Sequence, residues 1–151
     1  MRRILPRLVL LSTLLAAAAG RAANTQISTD KPVINFRLPS FNADGQRAWL
    51  IRGSEALLGR QGNTDVVDIK ELTLSVFSGK ADDKIVTMIL SPTAHAIPAD
   101  AVVTGESTIR VINDDYEATG TGWRYSHKDK KVSIARNARV SFRAEFKDLL
   151  K

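Results

Sequence analysis

With no cysteine in its 151 residues, the chain has no disulfide to support its fold in an oxidising compartment. Histidine is nearly as scarce. His95 and His127 stand far apart with no histidine or cysteine beside either, so the ligand spacing of a zinc site is missing. No Gly-x-Ser-x-Gly elbow occurs, and Gly120-Thr121-Gly122 lacks the lysine that follows in a phosphate loop. Asp82-Asp83 and Asp114-Asp115 each fall in a predicted turn before a strand, where turn chemistry accounts for them better than a calcium site or a catalytic carboxylate pair. His95, between Ala94 and Ala96, reads as a partly buried strand residue rather than a base. These absences leave no catalytic residues, no metal and no cofactor to expect. The expectation is a protein that binds.

A long apolar run is also missing. The longest, Leu8 to Ala19, is about a dozen residues, short of the ~20 that span a bilayer as a helix. It follows Arg2, Arg3 and Arg7 and leads into small residues ending at Ala23, the layout of a secretory signal peptide. An uncleaved signal anchor is the alternative. No cysteine at its exit allows lipid attachment. The net charge of +6 comes mostly from this segment. Without Arg2, Arg3, Arg7 and Arg21, 18 of the 22 basic side chains face 16 acidic ones, a net +2. A nucleic-acid partner is therefore not expected, because phosphate binding needs a concentrated basic surface. The remaining basic cluster, His127-Lys128-Asp129-Lys130-Lys131, sits between Tyr125 and Val132 and reads as a solvated hairpin loop.

What the chain does have is a recurrent phrase: an apolar strand, a bend, then a strand of alternating apolar and polar residues. The alternating ends are Leu72-Thr73-Leu74-Ser75-Val76, Ile109-Arg110-Val111 and Val140-Ser141-Phe142. Each follows a small or aromatic residue (Ala56, Ala94, Trp123) by roughly 15–17 positions, the kind of spacing that marks repeated units. Alternation with period 2 makes one sheet face apolar and the other polar. Residues 1–23 read as signal peptide or anchor, 24–32 as a flexible leader, 33–142 as one all-β domain and 143–151 as a tail. Within the domain, extended segments are predicted at Val33–Phe41, Gln46–Arg52, Val66–Phe77, Lys84–Leu90, Thr93–Ile97, Val102–Ile112, Tyr116–Tyr125 and Val132–Phe142. Ser91-Pro92 is expected to interrupt or end its strand, since proline lacks the ladder donor. Gly53 to Gly62 reads either as one helical turn capped by Ser54 or as a continuing, bulged strand. In the tail, Phe142, Phe146, Leu149 and Leu150 have helical spacing, which suits an end packed over an open mouth or a partner-docking helix.

The first hairpin, Phe41-Asn42-Ala43-Asp44-Gly45 followed by Ala48-Trp49-Leu50-Ile51 and Ala56, resembles the opening of the periplasmic lipopolysaccharide-export family (LptC-like). The closing segment is similar to that family's last repeat, shared by the related LptA-like, OstA-type bridge proteins. It reads Thr119-Gly120-Thr121-Gly122-Trp123-Arg124-Tyr125, then Val132-Ser133-Ile134 and Asn137-Ala138-Arg139-Val140. The resemblance spans roughly Phe36 to Phe142. Two departures stand out: the N-terminal apolar run is short for the membrane-anchored member, and the chain has only a brief tail after its last strand.

The resemblance implies a single antiparallel β-jellyroll, an open V-shaped roll that holds acyl chains inside. It implies lipopolysaccharide or a related lipid as ligand. Its partners would be a like-folded periplasmic bridge protein and inner-membrane transporter components, met through edge strands. The location implied is the periplasm, with the chain soluble or held to the inner membrane by an uncleaved N-terminal segment. The lining expected for such a groove is Trp49, Ile51, Leu72, Leu74, Val76, Met88, Leu90, Ile109, Val111, Trp123, Ile134, Val140 and Phe142. Any β-sandwich would use the same residues as ordinary core. A non-enzymatic interaction module with a solid interior, joining partners by edge-strand addition, is thus the competing expectation.

Overall fold

Apolar alternation broken by polar turns builds seven strands in the computed structural model, which describes residues 29–143. The predicted signal segment, most of the leader and all of the tail beyond Arg143 lie outside the described residues. The strands are β1 (Val33–Phe41), β2 (Arg47–Gln61), β3 (Thr64–Phe77), β4 (Ile85–Ile97), β5 (Val102–Asn113), β6 (Tyr116–Ser126) and β7 (Lys131–Phe142). A 3-10 turn, Pro98–Asp100, joins β4 to β5. All seven form one antiparallel sheet in sequence order, so every strand pairs with its chain neighbours and β1 and β7 are the edges. The protein is all-β, as expected. Among the described residues no helix is long and apolar enough to cross a membrane.

Side-chain chemistry sets the turns. Asn42 Oδ1 accepts from the amides of Asp44 (3.1 Å) and Gln46 (2.9 Å), and Gly45 supplies the left-handed backbone that closes the hairpin. Asn113 Oδ1 does the same for the amides of Asp115 and Tyr116. Asp82 accepts from Ser78 Oγ and the Lys84 amide, which holds its carboxyl below the usual range, the Ser78 bond being the larger cause. The doubled aspartates are thus turn residues.

Two apolar rows cross the sheet in register. The upper row runs Leu38, Ile51, Leu74, Ile89, Val111, Ala118, Val140. The lower row runs Leu58, Val67, Ala96, Val103, Tyr125, Val132. In several strands the two rows are an odd number of residues apart: Ile51 and Leu58, Val67 and Leu74, Ile89 and Ala96, Ala118 and Tyr125. A regular strand would send such residues to opposite faces. At the centre of the sheet both rows are nevertheless buried, so β2, β3, β4 and β6 must shift phase between them.

The shift happens along one line across the sheet. Asn35 in β1, Glu71 in β3, Gly122 in β6 and Asn137 in β7 all take left-handed φ there, at 54°, 52°, 64° and 53°. On the same line β2 has Gly53, β4 has Ser91-Pro92, and the β5 register slips between Gly105 and Thr108. Folded at this crease, the sheet covers itself. Trp49, Ile51 and Leu74 of the upper half border the same void as Ala96, Val103 and Tyr125 of the lower half, and that void is only about 10 Å³. Ile51, Leu72, Leu74, Ile89 and Val111 are essentially sealed from water. Each such side chain contributes about 1.5–3 kcal/mol of burial.

Of the two readings of Gly53 to Gly62, the continuing strand is the one observed, as far as Gln61, because β3 pairs along it from Glu55 to Gln61. One local prediction is corrected. Ser91-Pro92 does not end β4. Proline sits at the crease, where the β4–β5 ladder is already broken between Leu90 and His95, so its missing donor costs little.

The crease is tight on its inner side. A Cβ on Gly53 would stand 2.5 Å from Ile69 Cγ2 and 2.9 Å from the Lys70 carbonyl, and one on Gly120 would meet Ile134 Cγ2 and the Arg136 carbonyl. Backbone cannot yield as a side-chain tip can. Gly53→Ala and Gly120→Ala are each expected to destabilise by about 1–3 kcal/mol in urea unfolding. Gly59→Ala, where the new carbon meets only Val66 Cγ2 at 3.6 Å, should stay within about 0.5 kcal/mol. Equal effects at all three would contradict a packed crease.

Candidate functional site

The expected lining residues divide into three groups. Trp49, Ile51, Leu72, Leu74, Val76, Ile109, Val111 and Trp123 all lie on the inner face and are buried. Ile134 is half-buried against them. The interior they occupy is filled by their own side chains. Trp123 lies over Gly105, whose missing Cβ makes room for the indole, and its Nε1–H donates to Ser91 Oγ at 3.3 Å.

Met88 and Leu90 do not join that lining. They pair with Ser75 and Thr73 on the outer face, and Ile89 between them takes the inner position opposite Leu74 and Val111. In the run Met88-Ile89-Leu90 every residue is apolar, so alternation cannot reveal its phase; only the register to β3 does. Residues missing from the expected lining include Ile89, Val67, Ala96, Val103 and Tyr125. The last four belong to the lower row, which in β3, β4 and β6 is out of phase with the upper one.

Val140 and Phe142 are the third group. They continue the inner face into β7, opposite Ala118 and Tyr116, yet remain 52% and 63% exposed. Among the described residues this end is open: from Ala135 to Phe142 every residue of β7 is exposed. Phe142 meets Tyr116 edge to face with centroids 6.3 Å apart. The upper apolar row therefore begins in a closed core and emerges at an edge strand. At the other edge, Ile34 and Phe41 of β1 are 61% and 57% exposed.

The histidines serve local structure. His95 faces outward from β4 and meets Asp68 of β3 at 2.7 Å. His127 opens the β6–β7 turn, with Nδ1 2.8 Å from the Tyr125 hydroxyl and Nε2 2.8 Å from Lys130 Nζ. An ammonium can only donate, so Nε2 accepts and Nδ1–H donates to tyrosine, which requires a neutral ring. Burial first, and Lys130 second, hold His127 below the usual histidine range. Burial likewise pushes the Tyr125 phenol up to about 12. Of the basic loop, residues 128–131 are exposed. Among the described residues no three His, Cys, Asp or Glu side chains gather as a metal site would need.

No known protein-family model matches this chain, and no curated protein matches it.

Two outcomes follow. Leu74→Ala should cost about 2–5 kcal/mol in urea unfolding, whereas Val140→Asp should stay within about 0.5 kcal/mol although both sit on one row. A large cost at Val140 would mean that the β7 end is covered. His127 is harder to protonate folded than unfolded, so acidification loads the unfolded state first. Stability should fall as pH drops from the ordinary histidine value of 6.5 toward the lower folded one, and be flat above it. His127→Gln should remove that part of the pH dependence; an unchanged profile would contradict the neutral ring.

Proposed function

We propose that this chain is a non-catalytic, lipid-binding component of the cell envelope, of the lipopolysaccharide-export type. In this reading acyl chains enter at the open β7 end and pass to a like-folded partner. The observation that carries it is the emergence of the inner apolar row at Val140 and Phe142. Exposed apolar side chains in an edge strand are a liability that soluble proteins ordinarily block with charge or proline. Here they extend the core face without a step, so an acyl chain laid along them meets Ala118 and Tyr116 next. Each methylene that leaves water there gains about 0.8 kcal/mol. The seven-stranded open sheet, creased so that its halves face each other, suits the V-shaped roll that the sequence resemblance implies. Transfer along such a surface needs no acid, base or metal. Its direction would be set by an energy source elsewhere in the assembly, such as an inner-membrane transporter.

The filled interior favours a second reading. A void of about 10 Å³ between the halves admits no acyl chain in this conformation. The exposed edges would then join protein partners by strand addition, without lipid. Native mass spectrometry of the chain with added lipopolysaccharide separates the two. The lipid reading expects a bound adduct, weakened at least about tenfold by Val140→Asp with the fold intact by circular dichroism. No adduct at any concentration, for a chain that still forms complexes with like-folded partners, would establish the interaction module instead.

A further inference from the structure

The face turned away from the core has a basic row of its own. Arg37 of β1 pairs with Arg52 of β2, Arg52 with Thr73, and the same register continues through Leu90, Arg110 and Thr119 to Arg139 of β7. It crosses every strand, about 30 Å at the usual strand spacing. Beneath it, along the outer side of the crease, lie two shallow hollows of about 940 and 380 Å³. They share Glu71 and Thr73 and so form one trough from Asn35 to Arg139.

Three features mark this trough as a binding site rather than a solvated face. Arg37 and Arg52 stand directly opposite each other, a like-charge cross-strand pair that disfavours the fold. Neither they nor Arg139 have an ion-pair partner among the described residues, whereas Arg110 is engaged by Glu117. Glu71 is the one carboxylate lining the trough. The other half of the outer face has the opposite character: its hollow is lined by Asp30, Glu55, Asp68 and Glu106, and its Lys70 and His95 are already paired with Glu55 and Asp68 at 2.8 and 2.7 Å. Of these hollows, the trough is the one whose charge suits a negative ligand.

We propose that the trough binds a linear polyanionic glycan, a chain of sugars bearing carboxylate or phosphate groups. The guanidinium groups suit the repeated anions. Between them Thr73, Thr108, Thr119, Thr121 and Asn137 supply neutral donors and acceptors that suit sugar hydroxyls. No exposed aromatic ring lines the trough, so it lacks the stacking platforms that hold single-stranded nucleic acid. This inference concerns the face opposite the lipid surface and does not depend on it.

The test is a titration of the full chain, followed by calorimetry, with polygalacturonate, which is linear and has one carboxylate per sugar. Neutral dextran, oligo-thymidylate and phosphatidylglycerol vesicles are run beside it. Saturable binding of polygalacturonate but not dextran is expected. It should weaken at least about tenfold in Arg37→Ser/Arg52→Ser/Arg139→Ser, and measurably in Arg139→Ser alone. The charge-matched control Lys80→Ser/Lys128→Ser/Lys131→Ser should change it less than about twofold. No binding of polygalacturonate, or equal losses in both triple variants, would overturn the site. Oligo-thymidylate or vesicles binding as tightly, with the same dependence on the three arginines, would overturn the glycan. So would self-association of the chain that the trough variant abolishes, because a second copy would then occupy the trough.

Discussion

Everything in this fold depends on one crease. Seven strands in a single open meander have no second layer to cover their apolar face, so the sheet has to fold over on itself. The crease solves this within the sheet. Left-handed backbone at Asn35, Glu71, Gly122 and Asn137, with Gly53, Pro92 and the slipped register of β5, lets the halves face each other with apolar side chains still pointing in. Non-glycine residues at positive φ cost energy, so Asn35, Glu71 and Asn137 persist there because the packing on both sides over-determines them.

The same device explains why core and surface differ so sharply along one row. Ile51, Leu74, Ile89 and Val111 lie beneath the folded-over lower half and are sealed. Val140 continues their row beside Ala118 but sits on the edge strand, where it stays 52% exposed. The meander thus produces a solid centre and an apolar, accessible end without any change in residue chemistry. On the outer face the same line runs between the arginine-bearing trough and the hollow lined by carboxylates. Fold, apolar end and charged trough are three consequences of one bend.

Much of this was legible in the sequence. Val33–Phe41 has the bounds that the sequence predicts, and the turns at Asn42–Gly45 and Asn113–Asp115 were legible from their runs of turn-forming residues, with Gly45 able to take positive φ. Most inner residues of the upper row were legible because polar residues flank them, as Thr73 and Ser75 flank Leu74. Met88 and Leu90 were not, because three apolar residues in succession conceal the phase. The lower row was harder still. Ala96 and Tyr125 become core only after the crease inverts the alternation, and a left-handed Glu71 or Asn137 leaves no mark in composition. The basic row was invisible for a similar reason: its arginines are scattered along the chain and meet only through the register of all seven strands.

The most direct test of the account is methyl nuclear magnetic resonance of the chain, labelled at Ala, Ile, Leu and Val, during titration with a single-chain twelve-carbon phospholipid. Shifts confined to Val140, Ala138 and Ala118, with Ile51, Leu74 and Ile89 unmoved, are the result expected of an apolar row that opens only at β7 and takes acyl chains there. Shifts centred on Ile51, Leu74 and Ile89 would show that the interior itself opens to lipid. No shift at all would remove the lipid role.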